Sequence, residues 1–417
     1  HDQGMDEPRR VEIDVVIFGG GVAGLWILST LRNAGYDALL LDPNDLGSGQ
    51  TACSQGILHG GLKYTLSGWM SGSARAVRTM PAIWRECLEG KRTPNLTRTR
   101  VRAEYCHLWQ SQSVSGRFGM IGARWGLQVR PNVLSREERP PILRNMPGVV
   151  ARLDEQVIDP CSLLWDLAEP LAGRILRIDR ETGLELEFDE PGRVRRIRLI
   201  DPQEGDAVDL HPRSVVLAAG EGNAELIRRL ELSTSAEAEM QRRPLHMVMV
   251  RGPRLPLING HCVDGRRTRA TITAAKTYDD EPVWQIGGQI AENGVRMEPG
   301  QLIQHARSEM AQILPELDLT GAYWCTYRID RAEPRLGGRR PKNAFLTARG
   351  TTVLAWPTKL VLAPRLAELA QDELAKLIGR PSSDARPDSA VILKGWTQPG
   401  VAVPPWESPS CRWTIVD

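Results

Sequence analysis

The chain has 417 residues, with 53 Lys+Arg against 51 Asp+Glu for a formal net charge of +2, 41% hydrophobic and 25% charged residues. That near balance lacks the basic footprint of a nucleic-acid binder, and no run reaches the 18 or more apolar residues of a membrane-spanning helix, so neither a nucleic-acid partner nor a transmembrane segment is expected. A chain of this length usually divides into more than one core, and two domains are expected.

Residues 1–4 read as a cloning remnant ahead of a natural Met5. The acidic stretch behind them has no charged n-region or apolar h-region, which makes the cytoplasm the expected address. Seven cysteines (Cys53, Cys87, Cys106, Cys161, Cys262, Cys325, Cys411) are scattered and form no C-x-x-C pair, which argues against a disulfide framework and against structural zinc. No metal is expected.

Glu12 to Phe18 (EIDVVIF) ends in a continuous apolar run, the pattern of a strand buried on both faces of a parallel sheet. It leads into Gly19-Gly-Gly-Val-Ala-Gly24, where Gly19, Gly21 and Gly24 satisfy G-x-G-x-x-G. The first glycine permits the tight turn, the second lets backbone N–H groups approach a pyrophosphate, and the third lets helix and strand pack closely. A helix from Val22 and Ala23 to about Asn33 presents its N-terminal dipole to that phosphate. A second apolar strand, Ala38 to Leu41, ends in Asp42-Pro43, placing an acid to accept from ribose hydroxyls and arguing against NADP. On these residues alone FAD and NAD both remain open.

The next stretch runs from Gly47 to Tyr64 and includes Gly49, Gln50, Thr51, Ser54, Gln55, Gly56, Ile57 and Leu58 before His59-Gly-Gly-Leu-Lys-Tyr64. It is too long and glycine-dense for a simple connector. It resembles the flavin-binding segment of FAD-dependent glycerol-3-phosphate dehydrogenases and of the wider D-amino-acid oxidase superfamily. His59, Gly60, Gly61, Leu62 and Tyr64 match, with Lys63 in place of the family's arginine.

Three later segments follow the same order. Val215 to Gly222, with Ala219 and Gly220, resembles the strand and turn that close over the FAD phosphates. Arg243 to Val250 resembles a strand carrying an active-site histidine, matched by His246. Ala355 to Glu368 resembles a lysine loop and helix facing the flavin pyrimidine, with Lys359 and Leu360 matched and Pro357-Thr358 in place of a glycine pair.

The resemblance implies an α/β fold in the glutathione-reductase-like manner: a discontinuous Rossmann-like FAD-binding domain (5–85, 152–237, 326–417) and a smaller α+β substrate domain (86–151, 238–325). Runs at His246–Val250, Thr271–Thr273 and Val283–Ile286 suggest an antiparallel sheet over the flavin. Ile158-Asp-Pro160 followed by Leu163 to Leu171 reads as a capped helix, and the tail from Trp396 as a strap over the FAD domain.

A histidine suits removal of a substrate proton near neutral pH, and the resemblance favours His246 for that role, with His59 orienting loop and flavin. Lys359 is expected to stabilise the reduced flavin, and Arg328 to hold a substrate carboxylate or phosphate bidentately; Arg331 is a second candidate for the same pocket that could instead pair with Asp330 or Glu333, and Lys63 and Tyr64 are expected to face it too. The expected activity is FAD-dependent oxidation of a C–H next to OH or NH of a small anionic substrate. An amine or amino-acid oxidase using dioxygen, and an FAD-loaded subunit of a larger dehydrogenase docking through the Trp-rich tail, are the alternatives. Dioxygen, a quinone or a protein are all open as acceptor.

Overall fold

The computed structural model describes residues 8–60, 72–111, 132–264, 267–339, 341–382 and 386–416. Lys63 and Tyr64 lie outside them.

An eight-stranded sheet takes, in order across it, Phe345–Arg349, Thr352–Trp356, Ala207–Leu217, Arg9–Phe18, Ala38–Asp42 and Ile175–Arg177, with Arg193–Ile200 and Leu184–Glu190 hanging off the early half of Ala207–Leu217. Its central pairs are parallel, and their register sets Phe18 level with Leu217 and Leu41, and Leu217 level with Leu354. The apolar runs read from the sequence are therefore buried on both faces, as a covered parallel sheet requires. One face packs on Val22–Asn33, Pro160–Ala168 and Ala363–Ile378 through Leu25, Leu28, Leu163 and Leu366. The helix Pro160–Ala168 starts where its signals place it: Asp159 accepts from Cys161 N (3.1 Å) ahead of Pro160.

The second sheet has nine strands, Thr414–Ile415, Tyr323–Pro334, Met240–Arg251, Pro282–Gly287, Arg267–Lys276, Gly260–Asp264, Cys106–Gln110, Val150–Leu153 and Asn132–Val133. All its pairings are antiparallel except Gly260–Asp264 beside Cys106–Gln110. One face is covered by Gln289–Asn293 and Pro299–Ile313 over Val248, Trp284, Ile286 and Trp324. The other meets the 53–60 segment of the first unit.

Three boundaries differ from expectation. Tyr323–Pro334 lies wholly in the second sheet, so the last return to the first sheet comes after Pro334 rather than at 326. Val150–Leu153 also pairs there, beyond the expected border at 152. The tail touches the first unit through Trp396 and through Val401 beside Leu46, and then crosses over, with Trp406 packed on Met249 and Val283 and Thr414–Ile415 pairing with Tyr323 and Trp324. The expected borders came from the resemblance, which does not give strand pairing; the register shows which sheet Val150–Leu153, Tyr323–Pro334 and Thr414–Ile415 join.

Candidate active site

The C-terminal ends of the parallel strands gather the first group of expected residues, at the usual binding edge of such sheets. Gly19 has φ +112°, and a Cβ there would stand 2.4 Å from Ala218 O; one on Gly24 would stand 1.8 Å from Gly19 O. Both approaches exclude any side chain, so strand, turn and helix can close only with glycine. Gly21 precedes the helix with no side-chain cap, leaving first-turn N–H groups for a ligand. Thr51 Oγ1 accepts from Val22 N (3.1 Å), and Gly47 N donates to Gly20 O (3.0 Å), which pins the long loop against the turn.

Asp42 accepts from Gly20 N (2.6 Å) and Asn44 N (2.7 Å), yet burial pushes its carboxyl up to about 6. A carboxylate this poorly solvated gains from further hydroxyl donors such as those of a ribose. Ala219 and Gly220 follow Leu217 at the same edge, where Ala218 N donates to Phe18 O (2.8 Å). Pro357 to Leu360 follow the neighbouring strand end. Thr358 takes φ +64° where the resembling family has glycine, and donates Oγ1–H to Asn343 O (3.1 Å). Lys359, in extended backbone, caps the turn Leu360–Leu362 that leads into the helix Ala363–Ile378. A helix start without a side-chain cap on Gly21, a glycine turn and a buried acid at the strand end fit an adenine dinucleotide.

From Cys53 to Gly60 the loop is gripped by the second sheet. Gln285 Nε2 donates to the Tyr327 hydroxyl (2.8 Å), which donates to Cys53 O (2.8 Å). Burial pushes the Tyr327 phenol well above its ordinary value, so it stays a donor. The Gln55 side chain, expected at the cofactor, instead donates to Thr271 O and Gln285 O (both 3.0 Å). Ile57 and Leu58 turn their side chains into the cores, while Leu58 N and Gly56 O pair with Gln156 and Ile158.

At the end of this segment three groups converge. Glu155, 4% exposed, accepts from His59 Nδ1 (3.1 Å) and Gly60 N (2.9 Å), and its other oxygen lies 3.4 Å from His261 Nε2. His261 Nδ1 in turn contacts Thr271 Oγ1 (3.0 Å). Burial by itself would raise the Glu155 carboxyl, but the hydrogen bonds from His261 and His59, and the charge of those imidazoles, outweigh it and hold the group well below the usual carboxylate range. The same three side chains have metal-ligand types, but each carboxylate oxygen already faces an imidazole nitrogen. Neither Glu155 nor His261 belongs to a motif; the available signal was an acid between two short apolar runs and a histidine in an alternating strand.

His246 and Arg328 are placed elsewhere than expected. The unbroken register between Met240–Arg251 and Tyr323–Pro334 sets them side by side, on the face covered by helices. His246, 1% exposed, has Nδ1 on Gly294 O (3.0 Å) and Nε2 on Thr326 Oγ1 (2.9 Å). Burial, reinforced by Arg328, keeps it below its ordinary value and hence neutral. Arg328 is exposed and donates to Val295 O (2.9 Å) and Met297 O (2.8 Å). Side chains alternate along a strand, so Tyr327, Ile329 and Arg331 share the opposite face, the one that meets the 53–60 loop.

Comparison with known proteins agrees with this frame. The profile of the FAD dependent oxidoreductase (DAO) family matches residues 14–356. The chain is 39% identical to the probable FAD-dependent oxidoreductase PA4991 of Pseudomonas aeruginosa over 96% of this chain and 99% of that one. The crystal structure of that protein superposes with a TM-score of 0.79 over 96% and 99% of the two chains. Glycine oxidase from Geobacillus kaustophilus (TM-score 0.58, 18% identity, 90% and 96% covered) and the glycerol-3-phosphate dehydrogenase of Bacillus halodurans complexed with FAD (0.58, 17%, 91% and 67%) share the fold.

Proposed function

The chain belongs to the FAD-dependent oxidoreductase (DAO) family and takes FAD as its cofactor, and from that premise we propose that it oxidises a C–H bond beside a hydroxyl or amino group of a small anionic substrate. The observation that carries this reading is the sheet face that sets Arg331 on the same side as Tyr327, whose hydroxyl holds the loop bearing His59. A planar guanidinium recognises carboxylate or phosphate through paired N–H donors. Amino acids and glycerol phosphates, named for the structural neighbours, are both of that class.

Bound FAD supplies the acceptor for a hydride from the substrate carbon. The remaining tasks fall to the chain. Gly19, Gly21, Gly24 and the first turn of Val22–Asn33 would hold the pyrophosphate, Asp42 the adenosine ribose, and residues 219–220 and 357–360 the far side of the group. His59 is the imidazole of the loop; an imidazole whose Nδ1 is held by a buried carboxylate is fixed in tautomer and orientation, which suits proton transfer with the substrate heteroatom. Lys359 and the helix start behind it favour negative charge on a reduced flavin.

The expectation that the tail serves as a docking surface loses its support, since Trp396 and Trp406 are buried in the protein's own cores. Anaerobic mixing with a panel of hydroxy acids, amino acids and glycerol phosphates tests the proposal. At least one anionic member should bleach the flavin; bleaching only by neutral or cationic analogues overturns it.

Lys359→Met should retain FAD but make the flavin harder to reduce. One charge at ~4 Å and an effective dielectric of ~20 contributes about 4 kcal/mol, an upper bound of roughly 90 mV for a two-electron couple. Potentiometric titration measures the fall, and an unchanged midpoint would remove Lys359 from the site.

A further inference from the structure

The seven cysteines form no sequence motif, yet the fold brings two of them together across 86 positions: Cys411 Sγ lies 2.7 Å from Cys325 Sγ. Contacts independent of the sulfurs hold them there. Thr414 and Ile415 pair with Trp324 and Tyr323. The Arg251 guanidinium stacks on both Trp413 (4.7 Å) and Tyr323 (5.0 Å). Trp406 is buried beside Met249, Val283 and Cys325, and Tyr278 N donates to Glu407 Oε1 (2.6 Å). Cys325 is 3% exposed and Cys411 half-buried, so a small oxidant meets the pair from the Cys411 side.

We propose that Cys325 and Cys411 are a disulfide site, closed by a hydroperoxide, that ties residues 405–416 covalently to the strand bearing Tyr327 and Arg331. The Cys411 sulfur attacks the hydroperoxide, the O–O bond breaks, an alcohol (water, for hydrogen peroxide) leaves, and Cys411 becomes a sulfenic acid. The Cys325 sulfur then attacks the Cys411 sulfur, the S–O bond breaks, and water leaves with the second proton. Two thiols lose two electrons and two protons, and one ROOH becomes ROH and water. Each attack is made by a deprotonated sulfur. The contact with Cys325 and burial raise the Cys411 thiol, so its attack on the hydroperoxide is the slow step, and the Cys325 sulfur, already 2.7 Å away, closes the bond behind it.

The test uses the full-length, FAD-loaded protein, treated with a slight excess of hydrogen peroxide or with a thiol reductant, then unfolded in guanidine with iodoacetamide and mapped by mass spectrometry. Reduced protein should carry seven alkylated cysteines. Peroxide-treated protein should carry about two fewer, with the Cys325 and Cys411 peptides joined, and Cys411→Ser should show no joined peptide. Seven alkylated cysteines after peroxide, a bond between any other two, or Cys411 carried on to sulfinic acid with Cys325 still alkylated would each overturn the proposal. None of these outcomes depends on the substrate, so the function proposed above stands or falls separately.

Discussion

Glu155→Ala should destabilise the FAD-loaded protein by about 3–5 kcal/mol, the range for removing one member of a buried charged cluster. It strands His59, His261 and Gly60 N–H without their acceptor. Glu155→Gln keeps the volume and one acceptor but turns an amide N–H toward a donor, and should cost about 1–3 kcal/mol. The pH dependence separates this from simple loss of packing. The folded carboxyl is held below its unfolded value, so its contribution is fully present above about pH 4.3 and fades as pH falls through the folded value. Urea titrations near pH 7 should therefore show the full gap between wild type and Glu155→Gln, and titrations below about pH 4 a narrowing one. A gap that is absent at neutral pH, or that widens below about pH 4, would contradict the hydrogen-bonded carboxylate.

Arg331→Lys should raise the substrate concentration needed for half-maximal flavin reduction by roughly 10- to 100-fold, with a much smaller change at saturation. It replaces a fork of donors by a point charge, and a charged hydrogen bond contributes about 1.5–3 kcal/mol to binding shared by ground and transition states. Arg328→Lys should leave both parameters within about twofold, because Arg328 holds the Val295 and Met297 carbonyls on the helix-covered face and surface changes there have small effects. Stopped-flow reduction with a working substrate decides it. The reverse pattern would return the anion clamp to Arg328.

The contrast between these two arginines shows what the chain reveals before folding and what it does not. The glycine turn, its helix and Asp42 are local, each residue within one βαβ unit of the next, so their chemistry is readable from spacing. The choice between Arg328 and Arg331 is a matter of parity on one strand: three positions separate them, an odd number, and so they point to opposite faces. Nothing in Tyr327-Arg-Ile-Asp-Arg331 says which face meets the flavin loop. His246 is a case of the same parity, one residue out of step with Met247 and so on the helix-covered face. Glu155 sits in the link between Val150–Leu153 and Val157–Ile158, and His261 in the strand Gly260–Asp264, and only the tertiary fold shows that they meet at His59.

Thr358 carries a consequence of another kind. Left-handed backbone costs a β-branched residue about 1–2 kcal/mol, and the fold accepts that strain directly before Lys359. Glycine would relax the strain, but it would also widen the range of conformations open to the unligated loop and lose the Oγ1 bond to Asn343. The threonine therefore trades stability for preorganisation. Under the proposed function, with this loop beside the cofactor, a backbone held in one shape beforehand would lose less entropy on binding.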